Sequence, residues 1–591
     1  MSNRTTNLIA AGLLVLMFLL TFLSMRGDSA TMDESAHIPA GYSYLSQKDF
    51  RLNPEHPPLI KDLAALPLLF LKLNFPKDHP SWQEGVNNQW WFGNVFLYQS
   101  GNDADKIILW ARLPMILLLI LLGWLIFYWA RKLGGNIVGI FVLLLFAFSP
   151  TFLTHGRLVT TDVGATFGIV LATFFYLRFL KNTRKLNIIL AGITFGIALL
   201  LKFSCVLLLP FFFIITLVFV LFNFEGWVNK IKNLARYLVF LILIGVIAVL
   251  VIYPVYYFHT LNYSQAKQIQ DTKSILESSP LSSLLKLNIW MAKNSILRPL
   301  AHYFLGLLMA TQRVGGGNTT YFLGKISSAG TWYYFPVVYL LKEPLGFHIL
   351  AIIAFLIIVL AVKNSLNRNI LKNIKSFFLN HFPEFSMVVF LAIYWITSIK
   401  GNLNLGVRHI LPAFPFNYIL ITLVIKNKIK SFENITLKKT LILSIALFLG
   451  WYVASSISIY PHYLSYFNEI IGGPKNGYKF VVDSNYDWGQ DLKRLKAFVD
   501  KKNIQKIYVD YFGGGDVPYY LEDKFVPWNG MSKGEEFLKG NYLAVSATFL
   551  QGGRGIPVHN FNQSTAHYNW LNNYQPVARA GYSIFIYFIN H

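Results

Sequence analysis

A chain of 591 residues that is 54% hydrophobic and only 14% charged, with 50 Phe and 32 Tyr, is excluded from the ordinary soluble class, where about a quarter of residues carry charge. The net charge of +24 would suggest nucleic acid in a soluble protein. On so apolar a chain it is the Lys/Arg excess of cytoplasmic membrane loops, and no nucleic-acid partner is expected.

The first apolar stretch, Leu8 to Leu23, ends without a small-residue cleavage pattern and reads as an uncleaved first membrane helix. Runs long enough for a hydrocarbon core of ~30 Å then recur, giving predicted spans at 8–24, 113–130, 136–153, 163–180, 187–201, 204–222, 237–255, 336–362, 385–399, 408–425 and 440–457. The pair at 187–222 also fits a re-entrant hairpin. With the N-terminus cytoplasmic, the inward loops hold 18 Lys and Arg, Arg368 and Lys372 among them. The short outward loops hold only Arg157, Lys202, Lys400 and Arg408. Eleven spans then put the C-terminus outside. The single cysteine, Cys205, lies in an apolar run, so no intrachain disulfide is expected and a small buried hydrophobe is the simplest reading.

Three longer segments share the outer side. Residues 25–112 space Leu63, Leu66, Leu69 and Phe70 as a helix lying on the membrane surface. Residues 256–335 are rich in Tyr, Ser, Asn and Gly. In 458–591 hydrophobicity falls and period-2 strands begin, at 506–509, 542–545 and 582–589, with a helix from about Gln490 to Lys501. The expected architecture is mainly α and polytopic. A transmembrane catalytic domain covers 1–457, with outer loops 25–112 and 256–335, and a small extracytoplasmic α/β domain covers 458–591.

The candidate chemistry gathers on that outer side. Thr31-Met32-Asp33-Glu34-Ser35-Ala36-His37 puts two carboxylates and a histidine at a membrane boundary, where an unpaired charge is costly. Asp162 follows His155 and Arg157 between spans three and four. His56 and Lys61 lie in the first outer loop, Lys202 between spans five and six, and Arg408 and His409 at the start of span ten. Lys342, with Glu343 and Pro344, lies inside span eight. A transporter or flippase of a lipid-linked intermediate would need its essential charges at mid-membrane depth, where Lys342 and Glu343 are the main candidates. Carboxylates with cations at the rim suit a phosphorylated lipid instead: arginine matches phosphate oxygens, and a carboxylate accepts a hydroxyl proton.

Simpler readings stand beside these. An Asp-Glu pair, or Asp162, caps helices as readily as it reacts. His56 before Pro57-Pro58 suits an interfacial histidine, and Arg408 suits a snorkelling helix anchor. Gly315 to Gly317 and Gly513 to Gly515 lack the spacing of a nucleotide loop and read as flexible turns. Asp483, Asp487 and Asp491 have no His or Cys beside them and read as helix entry and surface charge.

Asp33-Glu34 after span one, Glu55-His56-Pro57-Pro58-Leu59 with Lys61, Ser149-Pro150 then Thr160-Thr161-Asp162, and Arg408-His409 together resemble the GT-C glycosyltransferases. The similarity is greatest to the bacterial form of the dolichyl-phosphate-mannose protein mannosyltransferase family, with the lipid A aminoarabinose transferase as a cousin. Gly472-Gly473-Pro474 through Asp483 to Asp491 resembles a junction in bacterial members. The resemblance implies an inverting hexosyl- or pentosyltransferase using a polyprenyl-phosphate sugar on the extracytoplasmic face. Asp33 is then the general base, supported by Glu34, with Asp162 as the second acid. Arg408, His409, Lys342 and Lys202 are expected at the donor phosphate, and His56, Lys61, His155 and Arg157 at the acceptor or sugar. The acceptor stays open among protein, lipid and glycan. No cofactor is expected, although Asp33, Glu34 and Asp162 could hold a divalent metal.

Overall fold

The computed structural model describes residues 1–277, 282–365, 375–376, 378–531 and 535–590. Arg368 and Lys372 of the inward-loop reading lie outside the described residues. Nine helices among them are long and apolar enough to cross a membrane: Asn3–Met25, Ala104–Gly134, Thr161–Lys181, Phe203–Asn223, Trp227–His259, Leu345–Lys363, Phe382–Lys400, Val407–Ser431 and Ile435–Ser458. Two shorter apolar helices, Asn136–Ala147 and Lys185–Leu201, stand where the other two spans are expected.

Burial orders these helices. The apolar window of Thr161–Lys181 is 72% buried and that of Trp227–His259 only 17%, so the former runs through the centre of the bundle and the latter along its apolar perimeter. Glycines allow the tight centre: Gly168 lies so close to Ala198 of the neighbouring helix that an added Cβ would stand 2.8 Å from the Ala198 Cα.

Three predicted spans are interrupted, each for a local reason. The span at 136–153 stops at Ala147, because the Ser149 hydroxyl caps a new short helix, Pro150–His155, with proline at its first turn. The span at 336–362 breaks at Glu343-Pro344 into Tyr334–Lys342 and Leu345–Ser365. Proline has no N–H to give and disfavours a helical residue before it, and Asn468 Nδ2 takes up the Glu343 carbonyl at 2.9 Å. The span at 408–425 opens as a 3-10 turn, Val407–Ala413, with Pro412 inside it, before continuing as Phe414–Ser431. The expected surface helix of the first outer loop is shorter than its pattern. Leu59–Ala65 tightens into a 3-10 turn at Leu66–Phe70 around Pro67, leaving Phe70 90% exposed.

The tail carries a five-stranded sheet in the order β4 (Phe525–Pro527), β3 (Ile507–Asp510), β5 (Tyr542–Ser546), β8 (Ile584–Phe588), β7 (Ala578–Ala580). Its first three neighbours are parallel and the last two pairs antiparallel. The helix Leu492–Lys501 buries Leu492, Leu495 and Val499. A second small sheet joins distant segments: β1 (Thr320–Phe322) pairs with β2 (Lys325–Ser327), which pairs with β6 (Ile556–Pro557). Between the last long helix and the main sheet, residues 463–485 run as a series of 3-10 turns against the helical part.

Just beyond that stretch the surface reading is corrected for two of the three aspartates. Asp487 and Asp491 are buried, Asp487 accepting the Thr548 N–H at 2.8 Å and Asp491 accepting the Ser583 N–H and hydroxyl at 3.1 and 2.9 Å. They join the tail's loops to one another rather than face water.

Candidate active site

The helix Met32–Ser46 begins with a capping box: the Thr31 N–H and hydroxyl both donate to Glu34 Oε2 at 2.9 Å. Arg112 grips the same carboxylate from the Ala104–Gly134 helix, Nε to Oε1 at 2.8 Å and Nη2 to Oε2 at 2.6 Å, and the Val159 N–H adds 3.1 Å to Oε1. Burial alone would raise the Glu34 pKa, but Arg112 and these N–H groups outweigh it and hold the carboxyl below its usual range. Glu34 is fully buried and its oxygens accept five hydrogen bonds. It fixes the start of the helix, and through Val159 the turn leading to Asp162.

Asp33, one residue earlier, has a side chain 22% exposed and meets a different arginine. Its Oδ2 accepts Arg408 Nη1 at 2.9 Å. Asp162 occupies the corresponding place in the first turn of Thr161–Lys181, fully buried, accepting the same Nη1 on Oδ2 at 3.2 Å and the Lys202 ammonium on Oδ1. The structure therefore brings Asp33, Asp162, Arg408 and Lys202 together. Both carboxylates sit in first turns, where the helix dipole favours negative charge. Arg408 is held in turn by Ser484 Oγ, 3.3 Å from Nε, and by the Trp488 ring 4.2 Å from Cζ. Among the described residues Arg408 Nη2 has no hydrogen-bond partner, so a guanidinium edge remains for a ligand.

Histidines surround the cluster. His37 donates Nδ1–H to the Val159 carbonyl at 2.8 Å and meets the His56 ring edge-on at 5.2 Å. Burial, then the neighbouring His37 ring and the cations Lys61, Lys202 and Arg408, hold His56 well below its usual value. Burial also pushes His155 down to about 3, so both rings are neutral near pH 7. His155 Nδ1 and His409 Nε2 are buried without a hydrogen-bond partner among the described residues.

The other candidates are placed differently. Lys61 is fully buried, with Nζ 2.8 Å from the Tyr44 hydroxyl, the Asn53 carbonyl and Oδ1, and the His56 carbonyl. It locks the loop that carries His56 and has no hydrogen left for substrate. Arg157 pairs with Asp28 at 2.8 Å, and Asp28 in turn with Arg494 at 2.9 Å, a buried network joining the first helix to the tail. The three Lys342 protons go to the carbonyls of Leu464, Tyr466 and Asn485 at 2.7–2.8 Å, which leaves no donor for a phosphate. Glu343 points the other way, to Thr151 Oγ1 at 3.0 Å and the Tyr418 hydroxyl at 3.3 Å. The donor set does not fit a divalent ion: Arg408 stands between Asp33 and Asp162, Lys202 covers the other Asp162 oxygen, and Glu34 is closed on Arg112. Among the described residues no group of three His, Cys, Asp or Glu side chains is arranged to hold a metal.

Sequence reasoning missed Arg112, Ser484 and Trp488. Arg112 opens an ordinary span, and nothing local marks it. Ser484 and Trp488 carried a signal: polar residues interleaved with Tyr486 and Trp488 suit a buried polar turn better than a solvated surface.

Residues 91–256 match the family described as Dolichyl-phosphate-mannose-protein mannosyltransferase. This places the stretch in the GT-C superfamily of glycosyltransferases. With the spanning-length helices, the GT-C match reads as a multi-pass membrane glycosyltransferase. The matched stretch includes Arg112, Asp162 and Lys202 but not Asp33 or Arg408. No curated protein matches the chain in sequence. Among solved structures the chain is similar to ArnT from Cupriavidus metallidurans bound to undecaprenyl phosphate, at 11% identity and a TM-score of 0.47, over 99% of this chain and 98% of that one. It is similar at 12% identity and 0.47 to the Archaeoglobus fulgidus oligosaccharyltransferase, over 89% of this chain and 64% of that one. For the S. cerevisiae protein O-mannosyltransferase Pmt1-Pmt2 complex bound to the sugar donor the values are 19% and 0.33, over 45% and 35%.

Two measurements separate frame from site. Arg112→Met leaves the Glu34 carboxylate buried and unpaired and is expected to cost about 3–5 kcal/mol. The double variant Arg112→Met/Glu34→Gln should recover part of that loss in thermal unfolding, and no recovery would rule out the pair as the cause. Burial lowers Lys61 to about 7 against the pull of Glu55 and Asp62. Between pH 7 and the ordinary lysine value near 10.5 the unfolded chain therefore binds more protons than the folded one, so stability rises with pH across that window. Lys61→Met is expected to abolish that rise in thermal midpoint; a rise that persists would assign it elsewhere.

Proposed function

We propose that this chain transfers a sugar from a polyprenyl-phosphate donor to an acceptor hydroxyl on protein, lipid or glycan, with inversion at the anomeric carbon. The supporting observation is the shared Arg408 Nη1, 2.9 Å from Asp33 and 3.2 Å from Asp162, beside the Lys202 ammonium. Two carboxylates need opposite roles to be useful together, and their surroundings differ in that sense. Asp162 is sealed between two cations and serves to hold them. Asp33 reaches the solvent side and is the one positioned to take a proton.

In the reaction Asp33 accepts the proton of the acceptor hydroxyl as its oxygen bonds to the anomeric carbon. The bond from that carbon to the phosphate oxygen breaks, and the electron pair leaves with the lipid phosphate. Arg408 Nη2 and the remaining Lys202 hydrogens meet the charge that develops there, where fixed donors act without reorganising. His155 and His409 present neutral or unpartnered nitrogens to sugar hydroxyls. Glu34, Lys61 and Lys342 act through the backbone they hold, and Arg157 through its pair with Asp28. We place the reaction on the extracytoplasmic face, with the N-terminus cytoplasmic. The distribution of Lys and Arg between loops supports this orientation, in which 1–457 is the catalytic unit and 458–591 an outer α/β unit packed against it.

Purified protein incubated with a panel of radiolabelled polyprenyl-phosphate sugars tests the reading through release of lipid phosphate. Asp33→Asn should lower turnover by about 10²–10⁴-fold while leaving membrane insertion and thermal midpoint intact. Unchanged turnover in that variant would remove Asp33 as the base.

A further inference from the structure

Residues 484–490 form a buried strap that touches both halves of the Asp33–Arg408 pair. On one side Ser484 Oγ accepts Arg408 Nε at 3.3 Å and donates to the Leu405 carbonyl at 2.8 Å, while Asn485 Oδ1 accepts the Val407 N–H at 2.9 Å. Trp488 covers the guanidinium at 4.2 Å. On the other side the Trp488 carbonyl accepts the N–H of Met32, the residue before Asp33, at 3.0 Å. Ser29 closes the same edge, its hydroxyl donating to the Gly489 carbonyl at 2.7 Å and its N–H to the Gln490 carbonyl at 3.1 Å.

Ser484, Asn485, Trp488 and Gln490 are all buried. Two glycines make the approach possible. A Cβ on Gly406 would stand 2.4 Å from Ser484 Oγ, and Gly489 has φ +95° with no room for a side chain beside Gly513. Lys342 pins the strap through the Asn485 carbonyl at 2.7 Å, which explains a buried lysine with no ligand-facing donor.

We infer that this strap is the positioning element of the phosphate site, setting the guanidinium of Arg408 and the carboxylate of Asp33 in register by holding both at once. The inference rests on the reading of Arg408 as a phosphate-binding residue. Ser484 and Trp488 are positioning residues: they act through Arg408 and do not meet the substrate.

A double-mutant cycle on the full chain, read as binding of undecaprenyl phosphate, tests this. Ser484→Ala is expected to weaken binding about 3- to 10-fold, the effect of one modest hydrogen bond, with a thermal midpoint lowered by loss of the donor to the Leu405 carbonyl. Lysine lacks Nε, so Arg408→Lys/Ser484→Ala should bind no more weakly than Arg408→Lys alone. Losses that multiply in the double variant, or wild-type binding by Ser484→Ala, would overturn the strap. Absence of binding by the wild-type chain, or wild-type binding by Arg408→Lys, would instead overturn the phosphate reading and the strap with it. If Ser484→Ala does not accumulate, Trp488→Phe and Trp488→Leu repeat the comparison. Phenylalanine keeps an aromatic face and should bind more tightly than leucine, and equal binding by the two would overturn the role of the ring.

Discussion

One guanidinium shared by two carboxylates sets the terms for the rest of the fold. Charges taken out of water cost several kcal/mol each unless they are paired and their remaining hydrogens are satisfied. Arg408 is paired only because three distant segments, at Thr31, Thr160 and Gly406, all begin at one place. Each needs a device to begin there. Glu34 and Arg112 fix the first and, through Val159, reach the second; Ser484 and Asn485 fix the third. The broken helix at Glu343-Pro344 serves the same end, since it lets Lys342 turn to the carbonyls of 464–485.

Buried charges here fall into two kinds, distinguished by what their hydrogens and lone pairs are doing. Glu34, Lys61 and Lys342 are saturated: every available bond goes to the protein, often to backbone carbonyls, and the consequence is a fixed loop. Arg408 and Lys202 are paired but unsaturated, and Asp33 keeps contact with the solvent side. Sealed charges hold shape, whereas unsaturated ones at an open rim can exchange a protein partner for a ligand.

The helical architecture was legible because apolar length is a strong signal, and the places where it faltered have local causes in Ser149, Pro344 and Pro412. The residues that converge were also legible in part. Asp33, Asp162, Arg408 and Lys202 announce themselves as charges at membrane boundaries. Nothing in the sequence says which charges near those boundaries are sealed. Lys61 looks like a substrate ligand and Lys342 like a phosphate ligand until their acceptors are seen, and most of those acceptors are backbone carbonyls that any residue supplies. Arg112 was invisible for the complementary reason, since its partner lies 78 positions away. Asp487 and Asp491 were misread as surface charge because the Tyr486 and Trp488 that make the turn partly apolar were not weighed.

A structure of the full chain with undecaprenyl phosphate bound would locate the phosphorus directly. The phosphate should lie within hydrogen-bond distance of Arg408 Nη2 and Lys202 Nζ, with Asp33 beside it. A phosphate seated at Lys61 or Lys342, with Arg408 still closed on both carboxylates, would contradict the shared-guanidinium site.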